Sequence, residues 1–216
     1  MIIDHNDPAY LEKFFGASKA NRFNGAYYYS VELVENIIPL IKTDRHWVTI
    51  NAKKAFDHSI VFIHNNLHPQ NYNYLTAYKD LVLVCGVPET CNNVAHLGKT
   101  IYLPLSVDVE YVKQFKREKT KDCAFAGRPK KYEWGQLPPH CDILTGLPRE
   151  ILLPKMAEYE KICAVGRTAI EARILGCEII PYDPRFPDPS IWKILDNKEA
   201  AKMLQEMLDE IDKEVE

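Results

Sequence analysis

Three short stretches of the chain pair a glycine with a cation: Gly127-Arg128-Pro129-Lys130-Lys131, Gly146-Leu147-Pro148-Arg149 and Gly166-Arg167-Thr168. Each follows an apolar run ("CAFA", "CDILT", "KICAV") of strand-like composition. A glycine lets a ligand approach the backbone, and the planar fork of an arginine holds two phosphate oxygens at once. Cations at neighbouring strand ends, together with the unpaired N–H groups of a helix start, make a diphosphate site. Gly127, Arg128, Lys130, Lys131, Gly166, Arg167 and Thr168 are therefore the candidate phosphate-binding residues.

Glu171 follows within "GRTAIEARILG". Its carboxylate can accept hydrogen bonds from the two hydroxyls of a ribose. Thr168-x-x-Glu171 is equally a capping box, in which the threonine oxygen takes one orphan N–H and the glutamate reaches back for another. Both roles stay open at this point. His64 closes an apolar run in "VFIHNN" and is a candidate for the reaction centre, against the alternative of a hydrogen-bonded structural histidine. Tyr27 and Ser30, in "NGAYYYS", are candidates for a loop over phosphate or acceptor; packing is the alternative for the tyrosines. No Asp-x-Asp triad or Gly-x-x-x-x-Gly-Lys-Ser/Thr loop is present. The six cysteines show neither a CxxC pair nor a Cys/His spacing of the zinc type. No metal and no cofactor is expected.

These residues need strands and helices to hold them. Ser30 is an expected N-cap for "VELVENIIPLIK", whose apolar positions keep helical spacing until Pro39 shortens the helix. "HWVTINA", "SIVFIHN", "LVLVCGV" and "TIYLPLS" follow as four short strands, with a helix expected to begin near Pro69. A second series, "DCAFAGRP", "HCDILTG", "EKICAVG" and "CEIIPYD", is interleaved with helices over "LPREILLPKMAEYE" and "TAIEARILG". Apolar runs with little alternation, separated by helices, indicate parallel strands covered on both faces. "NKEAAKMLQEMLDEIDKEVE" predicts a C-terminal amphipathic helix with Ala201, Met203, Leu204, Met207, Leu208 and Ile211 on one side. The expected fold is α/β in two small lobes with parallel sheets, residues 1–106 and 107–216, with a single continuous sheet as the alternative.

At 46% hydrophobic and 26% charged residues, the 216-residue chain has the composition of an ordinary globular protein. A formal charge of −3 argues against a protein that binds nucleic acid or anionic membrane by charge alone. Basic residues nonetheless crowd positions 113 to 131, which leaves a polyanionic acceptor, including a nucleic acid with a modified base, as an alternative. No leader and no apolar run near the ~20 residues of a membrane helix is seen, so membrane insertion is not expected and the cytoplasm is the expected compartment.

"FAGRPKK" followed by "VGRTAIEARILGCEII" resembles the donor half of the GT-B retaining glycosyltransferases, and "GKTIYLPLSVDVEYV" resembles their inter-domain passage; together these cover about residues 96 to 183. The resemblance implies two Rossmann-like lobes, with a nucleotide sugar in the second and an acceptor entering from the first. It implies that Gly127, Arg128 and Lys130 or Lys131 grip the donor diphosphate, that Gly166, Thr168 and Glu171 serve the nucleotide and its ribose, and that His64 lies near the sugar. The leaving diphosphate would be stabilised by cations and helix dipoles without a metal. Two further expectations stand beside a glycosyltransferase: a nucleotide- or nucleotide-sugar-binding protein without turnover, and a sugar-nucleotide epimerase.

Overall fold

The computed structural model describes residues 2–3, 25–49, 54–63, 69–128, 135–186 and 188–214. His64, Lys130 and Lys131 lie outside these residues, as does the side chain of Tyr27. Among the described residues, nine strands form two all-parallel sheets. The chain divides into two compact units, one of Tyr29–Pro104 and Asn197–Glu216 with the first strand, the other of Leu105–Asp196 with the start of the first helix. The C-terminal helix, expected in the second lobe, thus belongs to the first unit.

The first sheet holds β1 (Ile2–Ile3), β2 (His46–Val48), β3 (Ser59–Ile63), β4 (Val82–Cys85) and β5 (Lys99–Tyr102), in that spatial order. The four longer strands are the four apolar runs of the N-terminal half. Every residue of β3 and β4 is buried, as strands covered on both faces require. Val61, Ile63, Leu75, Leu83 and Cys85 meet in one core cluster beneath a 3-10 helix over Pro69–Ala77.

Helix α1 spans Gly25–Glu32 and runs on into a π-helical turn, Leu33–Ile37, and a 3-10 turn, Ile38–Leu40. Ser30 is therefore inside a helix and wholly buried, and neither caps a helix nor lines an open loop. Pro39 has no N–H to donate and its ring crowds the carbonyl four residues back, so the regular ladder cannot continue through it. Helix α2 (Pro88–Val94) packs on β4 and β5.

The second sheet holds β6 (Lys121–Gly127), β7 (Asp142–Thr145), β8 (Tyr159–Cys163) and β9 (Glu178–Ile179), in the order β7-β6-β8-β9. Helix α3 (Val109–Lys113) is N-capped by Asp108, whose carboxylate accepts from Tyr111 N–H at 2.9 Å. Helix α4 (Arg149–Met156) joins β7 to β8 and packs on β6 and β8; helix α5 (Arg167–Ile174) joins β8 to β9. Because β7 lies on one side of β6 and β8 on the other, the chain changes direction across the sheet between β6 and β8. No such reversal occurs among the described strands of the first sheet.

Helix α6 (Asn197–Lys213) buries Ala200, Ala201, Leu204 and Leu208, with Met203, Met207 and Ile211 half-buried. Polar contacts fix it to the first unit. Gln205 accepts from Lys42 N–H at 2.6 Å, Asn197 donates to Glu32 at 2.7 Å, and the buried Arg45 guanidinium donates to Asp212 at 2.8 Å. No described helix is long and apolar enough to cross a membrane.

Candidate functional site

In an open parallel sheet, a ligand sits outside the carboxyl ends of the strands at the point where strand order reverses. In the second unit that point lies between β6 and β8. β6 ends in Gly127 and leads into Arg128; β8 ends at Cys163 and leads through Gly166 into α5. The register of β6 on β8, with Phe125 opposite Cys163, brings the two loops to one sheet edge. β7 pairs with the other side of β6, with Gly127 opposite Thr145, so the Gly146–Arg149 loop leaves from the same edge. The three glycine-and-cation loops are neighbours.

Their side chains do not share one role. Arg128 is exposed and has no carboxylate partner among the described residues. Surrounding protein atoms pull its pKa below the ordinary arginine value. It still meets water, and an arginine that does so stays charged at neutral pH. Arg167 turns inward instead: it is 3% exposed and its Nε donates to the Ser106 carbonyl at 3.0 Å. It ties the start of α5 to the segment entering the second unit rather than facing a phosphate.

Glu171 does not form the expected capping box. The residue at the N-cap of α5 is Gly166, and Thr168 is the second helical residue, so the capping box does not form. The Glu171 carboxylate is 7% exposed and lies 2.8 Å from Arg149 Nη2, itself in a side chain 9% exposed. The N–H groups of that nitrogen are not aligned on the oxygen, which makes the contact an ion pair by distance rather than a directed hydrogen bond. Arg149 also lies over the rings of Tyr111 and Tyr28, with centroid distances of 5.1 and 5.7 Å. The Tyr28 hydroxyl accepts from Arg149 N–H at 3.0 Å, which satisfies one orphan donor at the start of α4. Burial raises the Tyr111 phenol above its ordinary pKa, and the nearby Arg149 charge works the other way. Arg149 is the residue that the sequence placed in a loop without singling out; its opposite charge to Glu171, on the next helix along the chain, was the available signal.

What remains at the reversal point is an uncapped helix start. Gly166 holds φ +66° and ψ −143°, a conformation that suits glycine, and no side chain caps α5. Gly166 and Arg167 are buried and Thr168 is half-buried. Buried N–H groups at a helix start need an acceptor from side chains, water or a ligand. A β-carbon at Gly166 would approach only Leu105 Cδ1, at 3.8 Å, so conformation rather than crowding selects the glycine.

The basic segment is partly spoken for. Lys119 donates to the carbonyls of Ala157 and Leu175 at 2.9 Å each, at the ends of α4 and α5. Lys113 pairs with Glu110, and Lys121 with Glu158, both at 2.7 Å; Arg117 lies 3.5 Å from Glu158. These contacts explain much of the cluster without a polyanion. No family model, no curated protein and no solved structure matches this chain.

Proposed function

We propose that the chain is a nucleotide-sugar-dependent glycosyltransferase whose second unit holds the donor diphosphate at the β6–β8 reversal. The observation that carries this is the uncapped start of α5 behind Gly166, next to the strand end that bears the exposed Arg128. N–H groups and the helix dipole favour an anion there, and Arg128 supplies the full positive charge. During transfer the same groups would stabilise the departing diphosphate, where negative charge develops as the glycosidic bond to the sugar breaks. Glu171 would act as a positioning residue that holds Arg149, not as a ribose ligand. The resemblance of "FAGRPKK" and "VGRTAIEARILGCEII" to GT-B donor halves supports the nucleotide sugar as the ligand.

Calorimetric titration with uridine, guanosine, adenosine, cytidine and thymidine diphosphates tests the site. At least one is expected to bind, and Arg128→Ala to weaken it at least ~10-fold, as befits loss of a charge-assisted contact. Equal affinity of the variant, or no binding by any of the five, removes the proposal. A binding protein without turnover that uses the same donor site is the alternative outcome. Incubation with the matching nucleotide sugars separates the two. Release of free diphosphate supports transfer or hydrolysis, whereas tight binding with an unchanged sugar nucleotide supports the binder.

A further inference from the structure

Cys123, Cys141 and Cys163 place their sulfurs within 4.8 Å of one another. Strand register does this. Ala124 aligns with Asp142, so Cys123 and Cys141 are neighbours across β6 and β7; Phe125 aligns with Cys163 across β6 and β8. Aligned residues of a parallel pair, and residues two apart on one strand, share a face of the sheet. All three thiols therefore leave the same side. Cys123 and Cys163 are buried, Cys141 is half-buried, and Phe125, Tyr182, Leu137, Val165 and Ile180 pack around them. A separation such as the 18 positions from Cys123 to Cys141 has no zinc-finger character, because pairing of separate strands and not a short loop makes the cluster.

A lone buried cysteine is a small hydrophobe, but that role gives three of them no reason to converge. A disulfide would use two and leave the third. A metal bound by thiolates at ~2.3 Å sets its sulfurs about 3.8–4.0 Å apart, from tetrahedral to trigonal. The cluster spans that distance within its 4.8 Å limit. The pair Cys123 and Cys141, at 2.9 Å, has to open by about 1 Å to reach it. Charge selects the ion: three thiolates leave two net negative charges around a monovalent cation but one around a divalent cation, and an apolar site penalises the larger residue of charge. Thiolates select soft and borderline metals over magnesium or calcium. Half-exposed Cys141 is the side from which an ion and a fourth ligand, water, would enter.

We propose that Cys123, Cys141 and Cys163 form a thiolate site for a divalent cation of the zinc class, which ties β6, β7 and β8 together. Loading exchanges three thiol protons, released to solvent, for three metal–sulfur bonds, with no electron transferred. The site uses none of the residues assigned to the proposed phosphate site and does not depend on that assignment.

The test uses the whole chain, reduced and stripped with a chelator, then titrated with Zn²⁺ and, as a coloured reporter, Co²⁺. One ion per chain is expected, with sulfur-to-cobalt charge-transfer absorption. Alkylation followed by peptide mass mapping should find Cys123, Cys141 and Cys163 protected by Zn²⁺, and the reactivity of Cys85, Cys91 and Cys177 unchanged by it. Serine at any one of the three should weaken binding at least ~100-fold, beyond the usual cost of losing a supporting group. Cys91→Ser, whose hydroxyl can keep the donor contact to the Ile101 carbonyl, should leave it unchanged. Failure of the reduced protein to retain zinc, equal alkylation with and without it, or undiminished binding in a serine variant each overturns the proposal, as does a Cys123–Cys141 disulfide that persists in reductant. The mapping uses the natural sequence and stands even where a serine variant fails to fold.

Discussion

Arg149 and Glu171 are 8% and 5% exposed, so their charges meet each other and two tyrosine rings more than they meet water. Removing one member of such a pair takes the close counter-charge from the other, which typically costs about 3 kcal/mol. Glu171→Gln should destabilise the 216-residue chain by about 3 kcal/mol. In thermal unfolding followed by circular dichroism that is a fall in Tm of about 6–12 °C. A capping box would tolerate glutamine, so an unchanged Tm would contradict the ion pair. His58 is a residue of the opposite kind. It sits at the N-terminal edge of the first sheet, with Asp80 2.5 Å from Nδ1 and Asp44 3.0 Å from Nε2. Hydrogen bonds to Asp80 and Asp44 raise the His58 pKa. Asp44 is lowered by its bond to His58; Asp80 is lowered too, its bonds to His58 and Arg45 outweighing the opposing desolvation. A raised histidine contributes stability in full below its unfolded value, ~6.5, and loses it as pH climbs through the folded value. The lowered aspartates contribute above ~3.9 and lose it as pH falls through their folded values. Tm should therefore be flat between about pH 4 and 6.5 and fall on both sides, and His58→Gln should flatten the alkaline fall. Parallel Tm–pH curves for the two proteins would rule the cluster out as the cause.

At the scale of elements, Lys119 does what a helix C-terminus asks for twice. Its ammonium accepts no bonds and donates three, to the last carbonyls of α4 and α5 and to Cys177 sulfur at 3.1 Å. Lys119→Met keeps the stem but leaves those carbonyls without their donor; a loss of about 2 kcal/mol is expected, the upper range for a cation at a partly buried helix end. Urea unfolding monitored by tryptophan fluorescence reads this as a lower midpoint with unchanged slope. An unchanged midpoint would return Lys119 to the solvated basic run. The elements themselves were largely legible. All eight apolar runs are strands, with β3 and β4 buried throughout and the edge strands β5 and β7 partly exposed, and Pro39 lies where the helix has ceased to be regular. Ile2–Ile3 was missed because two residues carry no period. The chain is already helical at Gly25, six residues before the Val31 start that a Ser30 cap implies, because Ser30 has the chemistry of a cap while burial of Tyr29 and Ser30 favours helix across them. The three phosphate-loop candidates were legible as strand ends. Which cations turn inward was not, because Arg167 answers to the Ser106 carbonyl and Arg149 to Glu171, partners far along the chain. The cysteine cluster was hidden for the same reason, since strand register and not spacing assembles it.

For the whole molecule, two parallel sheets stand where the sequence led us to expect two lobes. The second contains the strand-order reversal, and the first is completed by α6 returning from the end of the chain. The functional account rests on an anion held between β6 and β8. Backbone amide shifts of ¹⁵N-labelled protein, recorded while a nucleoside diphosphate is added, report that contact residue by residue. The account predicts that the amides of Gly127, Arg128, Gly166, Arg167 and Thr168 move most and saturate together, with those of the first sheet nearly still. Saturating shifts confined to other residues, or none with any of the five diphosphates, would contradict it.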